Sequence, residues 1–109
     1  MKYGISSLCS YREIKPKLLE KNPTLNSIEH QFKTVAYIAC GEELPKMEFE
    51  TVEEAINILA TKYINDVYKI GTGKNTKTKI YYIIGENHDI IAILNYDKNV
   101  YMNKEIILW

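Results

Sequence analysis

Cysteine is scarce in this sequence: Cys9 and Cys40 are the two it has, with no paired-cysteine or Cys/His spacing around them. That excludes a disulfide framework and a zinc site, and it makes a reducing cytosol the expected compartment. Long apolar runs are missing as well. Nothing approaches the roughly 20 residues of a membrane helix, and the opening MKYGISSLCSYREIK lacks the apolar stretch of a secretory leader. A soluble, cytoplasmic protein without a membrane partner is expected. Neither sign of charge is in excess, since 14 basic side chains balance 14 acidic ones. No overall field therefore steers the chain onto DNA, RNA or an anionic surface, and any binding to a polyanion has to be local. Arginine is nearly absent, with Arg12 alone among the basic residues, while Ile, Lys, Asn and Tyr abound. This bias fits AT-rich codons, as in an AT-rich bacterium, virus or mobile element, and speaks of a genome rather than of chemistry.

What is present suits an ordinary globular protein. The 109 residues are 46% hydrophobic and 26% charged, enough for one core and too few for a catalytic plus a regulatory domain. No repeat or low-complexity tract divides the chain, so residues 1–109 are read as a single domain. Charge is segregated within it. Glu42, Glu43, Glu48, Glu50, Glu53 and Glu54 crowd one stretch opposed by Lys46, whereas residues 69–79 carry Lys69, Lys74, Lys77 and Lys79 unopposed.

The patterning predicts helices first and strands afterwards. MKYGISSL reads as a short strand or an ordered arm, and a short helix follows, begun either by a Ser10/Glu13 capping box or near Pro16. Ile28, Phe32, Val35, Ala36 and Ala39 recur at helical spacing, with Asn26 as cap and Gly41 as stop, which predicts a helix over 27–40; a strand through KTVAYIAC competes. Thr51 and Glu54 form a second capping box ahead of the stripe Val52, Ala55, Ile56, Leu59, Tyr63, Ile64 and Val67, predicting a helix over 52–69 that Gly71 stops. Three β-like runs come last: 78–85, 90–96 and 100–109, joined by the turn-rich ENHD and DKN. The first two are apolar on both faces, with Ile91 and Ile93 expected to face away from Ala92 and Leu94. Both faces of the sheet must then be covered, by helices on each side or by helices on one and a second chain on the other. The expected architecture is α+β: two or three helices followed by and packed on a three-stranded antiparallel meander, with a homodimer through the sheet allowed.

The candidate chemistry is thin. Around KIGTGKNTKTK a P-loop would need a glycine where Tyr68 stands and a Ser or Thr where Asn75 stands, and a helix after it rather than a strand. The Gly71-Thr72-Gly73 triplet resembles the phosphate-cradling turn of acyl-CoA acetyltransferases, but that turn joins a strand to a helix and needs a basic or amide residue at Tyr68. A winged-helix reading fails because its DNA-reading helix would begin TVEEA, which repels phosphate. His30 and His88 are the two histidines, Cys40 lies near an apolar stripe and reads as core, and GENHDI reads as a hairpin turn. No catalytic residue, metal or cofactor is assigned.

Two binding readings remain. In the first, the acidic stretch GEELPKMEFETVEE, with Met47 and Phe49 interspersed, occupies a basic cleft on a partner protein, using Glu42, Glu43, Glu48, Glu50 and Glu53, with Trp109 as an aromatic anchor. This is the style of small inhibitors from viruses and plasmids, and the chain resembles anti-CRISPR proteins in that respect. The resemblance implies a non-enzymatic protein that modulates or inhibits a partner, an accessory protein of a virus or mobile element. In the second, Lys69, Lys74, Lys77 and Lys79, with Tyr81 among nearby tyrosines, pin a nucleic-acid backbone. A small enzyme or ligand-sequestering protein is a weaker third reading.

Overall fold

The structure, a computed structural model, describes residues 1–9, 28–71 and 76–103, with the backbone alone for 28–31, 33 and 34. In chain order its elements are β1 (Tyr3–Cys9), α1 (Ile28–Ala39), α2 (Val52–Lys62), β2 (Tyr68–Ile70), β3 (Lys77–Gly85), β4 (Ile90–Leu94) and β5 (Val100–Met102). The expected α+β class and the meander β3-β4-β5 are present, the third run of it as a strand over Val100–Met102 only, with 104–109 outside the described residues. The sheet, however, has five antiparallel strands rather than three. Two helices lie among the described residues, and the helix expected near Ser10 or Pro16 falls outside them.

Both extra strands pair with β3, the longest. β1 runs along one of its edges from Tyr3 opposite Gly85 to Cys9 opposite Lys79. Lys79 also pairs with Tyr68, so β2 occupies the other edge, end to end with β4, which takes over from Tyr81 onward. Lys79 and the stretch from Tyr81 to Ile84 thus have strand partners on both sides. Such a strand buries both faces, which is why its centre carries no polar alternation.

Directly paired residues share a face, and the two faces are covered by different helices. On one, Ile80, Tyr82, Ile84, Ile90 and Ile93 pack with Phe32, Val35 and Ala39 of α1. On the other, Tyr81, Ile83, Ile91, Ala92 and Leu94 pack with Ala55 and Leu59 of α2 and with Val67. Each fully buried aliphatic side chain here contributes about 1.5–3 kcal/mol of transfer free energy. Because the chain's own helices cover both faces of β3 and β4, no second chain is needed to do so.

α1 forms where the helical spacing predicts it, which disposes of the competing strand. Its stop differs: Gly41 has no left-handed backbone, and the end is closed by Cys40 N–H donating to Ala36 and Glu42 N–H to Ala39. Ala36 is exposed, and so is Cys40, which the helical stripe placed in the core. α2 starts at the Thr51 cap as expected, the Thr51 hydroxyl accepting from Glu54 N–H at 3.1 Å. It ends at Lys62 rather than running to 69. The Asn65-Asp66 turn intervenes, and Tyr68–Ile70 gains more from ladder hydrogen bonds with β3 than from another helical turn. Gly71, at φ 90°, therefore belongs to the β2–β3 connection and caps no helix.

The face assignment of β4 also departs from simple alternation. Tyr81, Tyr82 and Ile83 pair with Leu94, Ile93 and Ala92, and then Ile84 pairs with Ile90 instead of Ile91. The extra residue is a β-bulge at Ile91. It returns Ile90 to the α1 face beside Ile84 and places Ile91 on the α2 face with Ala92 and Leu94, not with Ile93 as alternation predicts.

Candidate functional site

The acidic stretch becomes a strap along the outer edge of β1. Tyr3 and Phe49 exchange two backbone hydrogen bonds, 2.8 Å from Tyr3 N–H and 3.0 Å from Phe49 N–H. From 46 to 50 the strap alternates: Met47 and Phe49 turn inward and are half-buried, while Lys46, Glu48 and Glu50 point to solvent. The apolar pair expected to accompany the carboxylates into a partner is thus turned toward the molecule, Phe49 packing against the α2-side core. Beneath the strap sits Gly4. A Cβ there would stand 2.8 Å from the Lys46 carbonyl oxygen and 2.9 Å from the Met47 sulfur, so only glycine allows so close an approach.

Glu42, Glu43, Glu48, Glu50, Glu53 and Glu54 are all exposed. Lys46 Nζ is 3.6 Å from Glu48, and Lys2 Nζ is 3.8 Å from Glu50. Surface pairs of this kind contribute little and leave the strap's field negative. Glu54 reaches back to accept from Glu50 N–H at 3.4 Å, tying the strap to the first turn of α2. One carboxylate joins that sequence reasoning did not place here: Glu86, in the β3–β4 turn, accepts from Lys2 N–H at 2.8 Å while the same lysine reaches Glu50. The signal was invisible because residues 2, 50 and 86 meet only through the β1–β3 pairing. Trp109 lies outside the described residues.

The lysines of 69–79 are divided by the pleat of the β2–β3 hairpin. Tyr68 pairs with Lys79 and Ile70 with Lys77, on the α2 side of the sheet; Lys69 pairs with Thr78 on the α1 side. Lys69 Nζ lies 5.2 Å from the centre of the Tyr96 ring. Lys74 lies outside the described residues. On the α2 side a column of contacts forms: Lys62 Nζ 5.5 Å over the Tyr63 ring, Tyr63 stacked on Tyr81 at 4.5 Å, and Lys79 Nζ 5.2 Å over Tyr81. The hydrogen bond to Tyr81, and then its electrostatic attraction, raise the Lys79 ammonium above its ordinary range. Tyr81 itself is only 9% exposed and Tyr82 3%, on opposite faces, so neither offers a free ring. Tyr68, at 38%, does.

The two cysteines are exposed and form no disulfide, His88 occupies a hairpin turn, and the His30 side chain is not among those described. Among the described residues no group of three or more His, Cys, Asp or Glu is placed to hold a metal ion. No described helix is long and apolar enough to cross a membrane. Comparison with protein families, with curated proteins and with solved structures finds no match to this chain.

Proposed function

We propose that this chain is a non-enzymatic binding protein that modulates or inhibits a protein partner, and that its acidic strap is the contact. The observation that supports this reading is the presentation of Glu48, Glu50, Glu53 and Glu54, with Glu86 beside them, at exposed positions of a backbone pinned to β1 and capped into α2. Carboxylates on a pinned backbone lose little freedom on binding, and they complement a basic cleft, raising association rate and selecting against acidic surfaces. The partner on this reading is a protein with a lysine- or arginine-lined surface, of the sort that handles nucleic acid, and the Ile-, Lys-, Asn- and Tyr-rich composition is in keeping with an accessory role in a virus or mobile element.

The test is a pull-down from the native host with wild-type chain and with Glu48→Lys/Glu50→Lys/Glu53→Lys, circular dichroism confirming that both fold alike. A captured protein is then purified and titrated against both. The reading expects a complex whose association slows steeply with salt and weakens at least tenfold on charge reversal. Equal affinity of the two chains for every captured protein overturns it.

A further inference from the structure

We infer that the α2-facing side of the β2–β3 hairpin is a docking surface for a single-stranded polynucleotide, independent of the acidic strap. Tyr68 and Ile70 are two of the four large apolar side chains left exposed among the described residues, at 38% and 60%, and each sits directly beside a lysine, Lys79 and Lys77. Exposed apolar residues and cations therefore alternate on one grid. Lys77 and Lys79 are two strand residues apart, about 6.8 Å, a spacing suited to successive phosphates of an unstacked strand. Lys62 adds a third cation at the end of α2, held through Tyr63, Tyr81 and Lys79. Asp66 adds a weak attraction at Lys79, set against the three lysines Lys62, Lys77 and Lys79.

Charge alone would suit any polyanion; the ring decides among them. Tyr68 is exposed, whereas Tyr63 and Tyr81 are committed to each other, so Tyr68 is the platform on which a flat apolar group can stack. A single strand presents bases and phosphates in alternation. A duplex hides its bases in the stack, and a carboxylate-rich peptide brings charge without the planar surface. Ile70, beside Tyr68 on the same face, extends the apolar contact to a second base. Lys69, on the opposite side of the hairpin, takes no part.

Fluorescence anisotropy with a labelled oligothymidylate of about 15 nucleotides, a length that spans one such surface, tests this directly. Binding is expected at low salt and should weaken with a log–log slope near −2, about 0.7 for each of three lysine contacts. Tyr68→Ala should reduce affinity roughly tenfold, Tyr68→Phe should restore it, and Lys77→Ala should lower the slope by roughly 0.7. Both positions are exposed, so the variants are expected to fold. Absence of binding at low salt overturns the inference. So does binding unaffected by Tyr68→Ala and matched by a duplex or by polyglutamate, which would mean a generic polyanion surface.

Discussion

The side-chain amide of Asn103 donates to the Ile90 carbonyl at 2.8 Å, while the Asn103 backbone N–H donates to Ile91 at 2.9 Å. One residue beyond β5 thereby clasps both carbonyls at the bulge of β4. The bulge decides which helix Ile90 and Ile91 face, so this clasp holds the two halves of the core in register. Asn103→Ala should destabilise the chain by about 1–2 kcal/mol, because a buried carbonyl loses a donor. Asn103→Asp, which cannot donate, should cost at least as much. Urea midpoints of the three proteins give the comparison, and an unchanged midpoint for both variants refutes the clasp.

Gly4 sets how closely the acidic strap lies on β1. Gly4→Ala pushes a methyl against backbone, the Lys46 oxygen, which cannot swing aside as a side-chain tip would. A loss of about 1–3 kcal/mol is expected, as for other overpacked sites. Hydrogen exchange should show faster exchange at Tyr3 and Phe49, whose amides bond across this contact. Retained protection there would mean that the strap accommodates the methyl.

His88 and Lys98 occupy equivalent places in two like hairpins. In each, a three-residue loop ends on a left-handed residue, φ 65° for His88 and 68° for Lys98, its N–H donating back to Gly85 and Asn95 respectively. Glycine is the residue that this position favours. His88→Gly should stabilise by about 0.5–1 kcal/mol, read as a rise in thermal midpoint. Lys98→Gly should gain less, since Lys98 Nζ also contacts Asn65 at 3.5 Å. A lowered midpoint for His88→Gly would assign His88 a contact worth more than its backbone strain.

Asp97 and Tyr101 couple the β4–β5 hairpin to pH. Burial raises the Asp97 carboxyl, but the Tyr101 hydroxyl, donating at 2.5 Å, and the Asn99 backbone amide together outweigh it and hold the group below its usual range. A carboxyl lowered by folding stabilises above its unfolded value, about 3.9, and that contribution is lost as pH falls through the folded value. The same hydrogen bond raises Tyr101, whose stabilisation is present below about pH 10 and lost above it. An NMR titration of Asp97 should show the lowered midpoint, and Tyr101→Phe should move it upward. No movement would exclude the hydroxyl as the cause.

Much of the architecture is written in local pattern. The two-faced apolar runs of β3 and β4 require cover on both sides, the Thr51/Glu54 box starts α2 where it is observed, and the glutamate-rich and lysine-rich stretches are apparent without any fold. These features depend on residues within a few positions of one another, where capping, turn and burial preferences act. β1 is legible only as one of two options, a short strand or an ordered arm, and β2 reads as the end of a helix. A three-residue YKI and a strand interrupted by Gly4 and two serines have no decisive period; both are strands because β3 offers unpaired backbone groups on each edge.

The same distinction separates the surfaces. Sequence alone determined which residues are charged, that the central runs of β3 and β4 are buried on both faces, and that catalytic groups are sparse. Tertiary structure decided that Glu86 joins the strap through Lys2, that Met47 and Phe49 face inward, that Lys69 parts company with Lys77 and Lys79, and that Tyr68 rather than Tyr81 is the free ring. The first two depend on pairings distant in the chain and the last two on the register of the β2–β3 hairpin, and a shift of one residue in a strand pairing would turn every side chain of that strand to the other face.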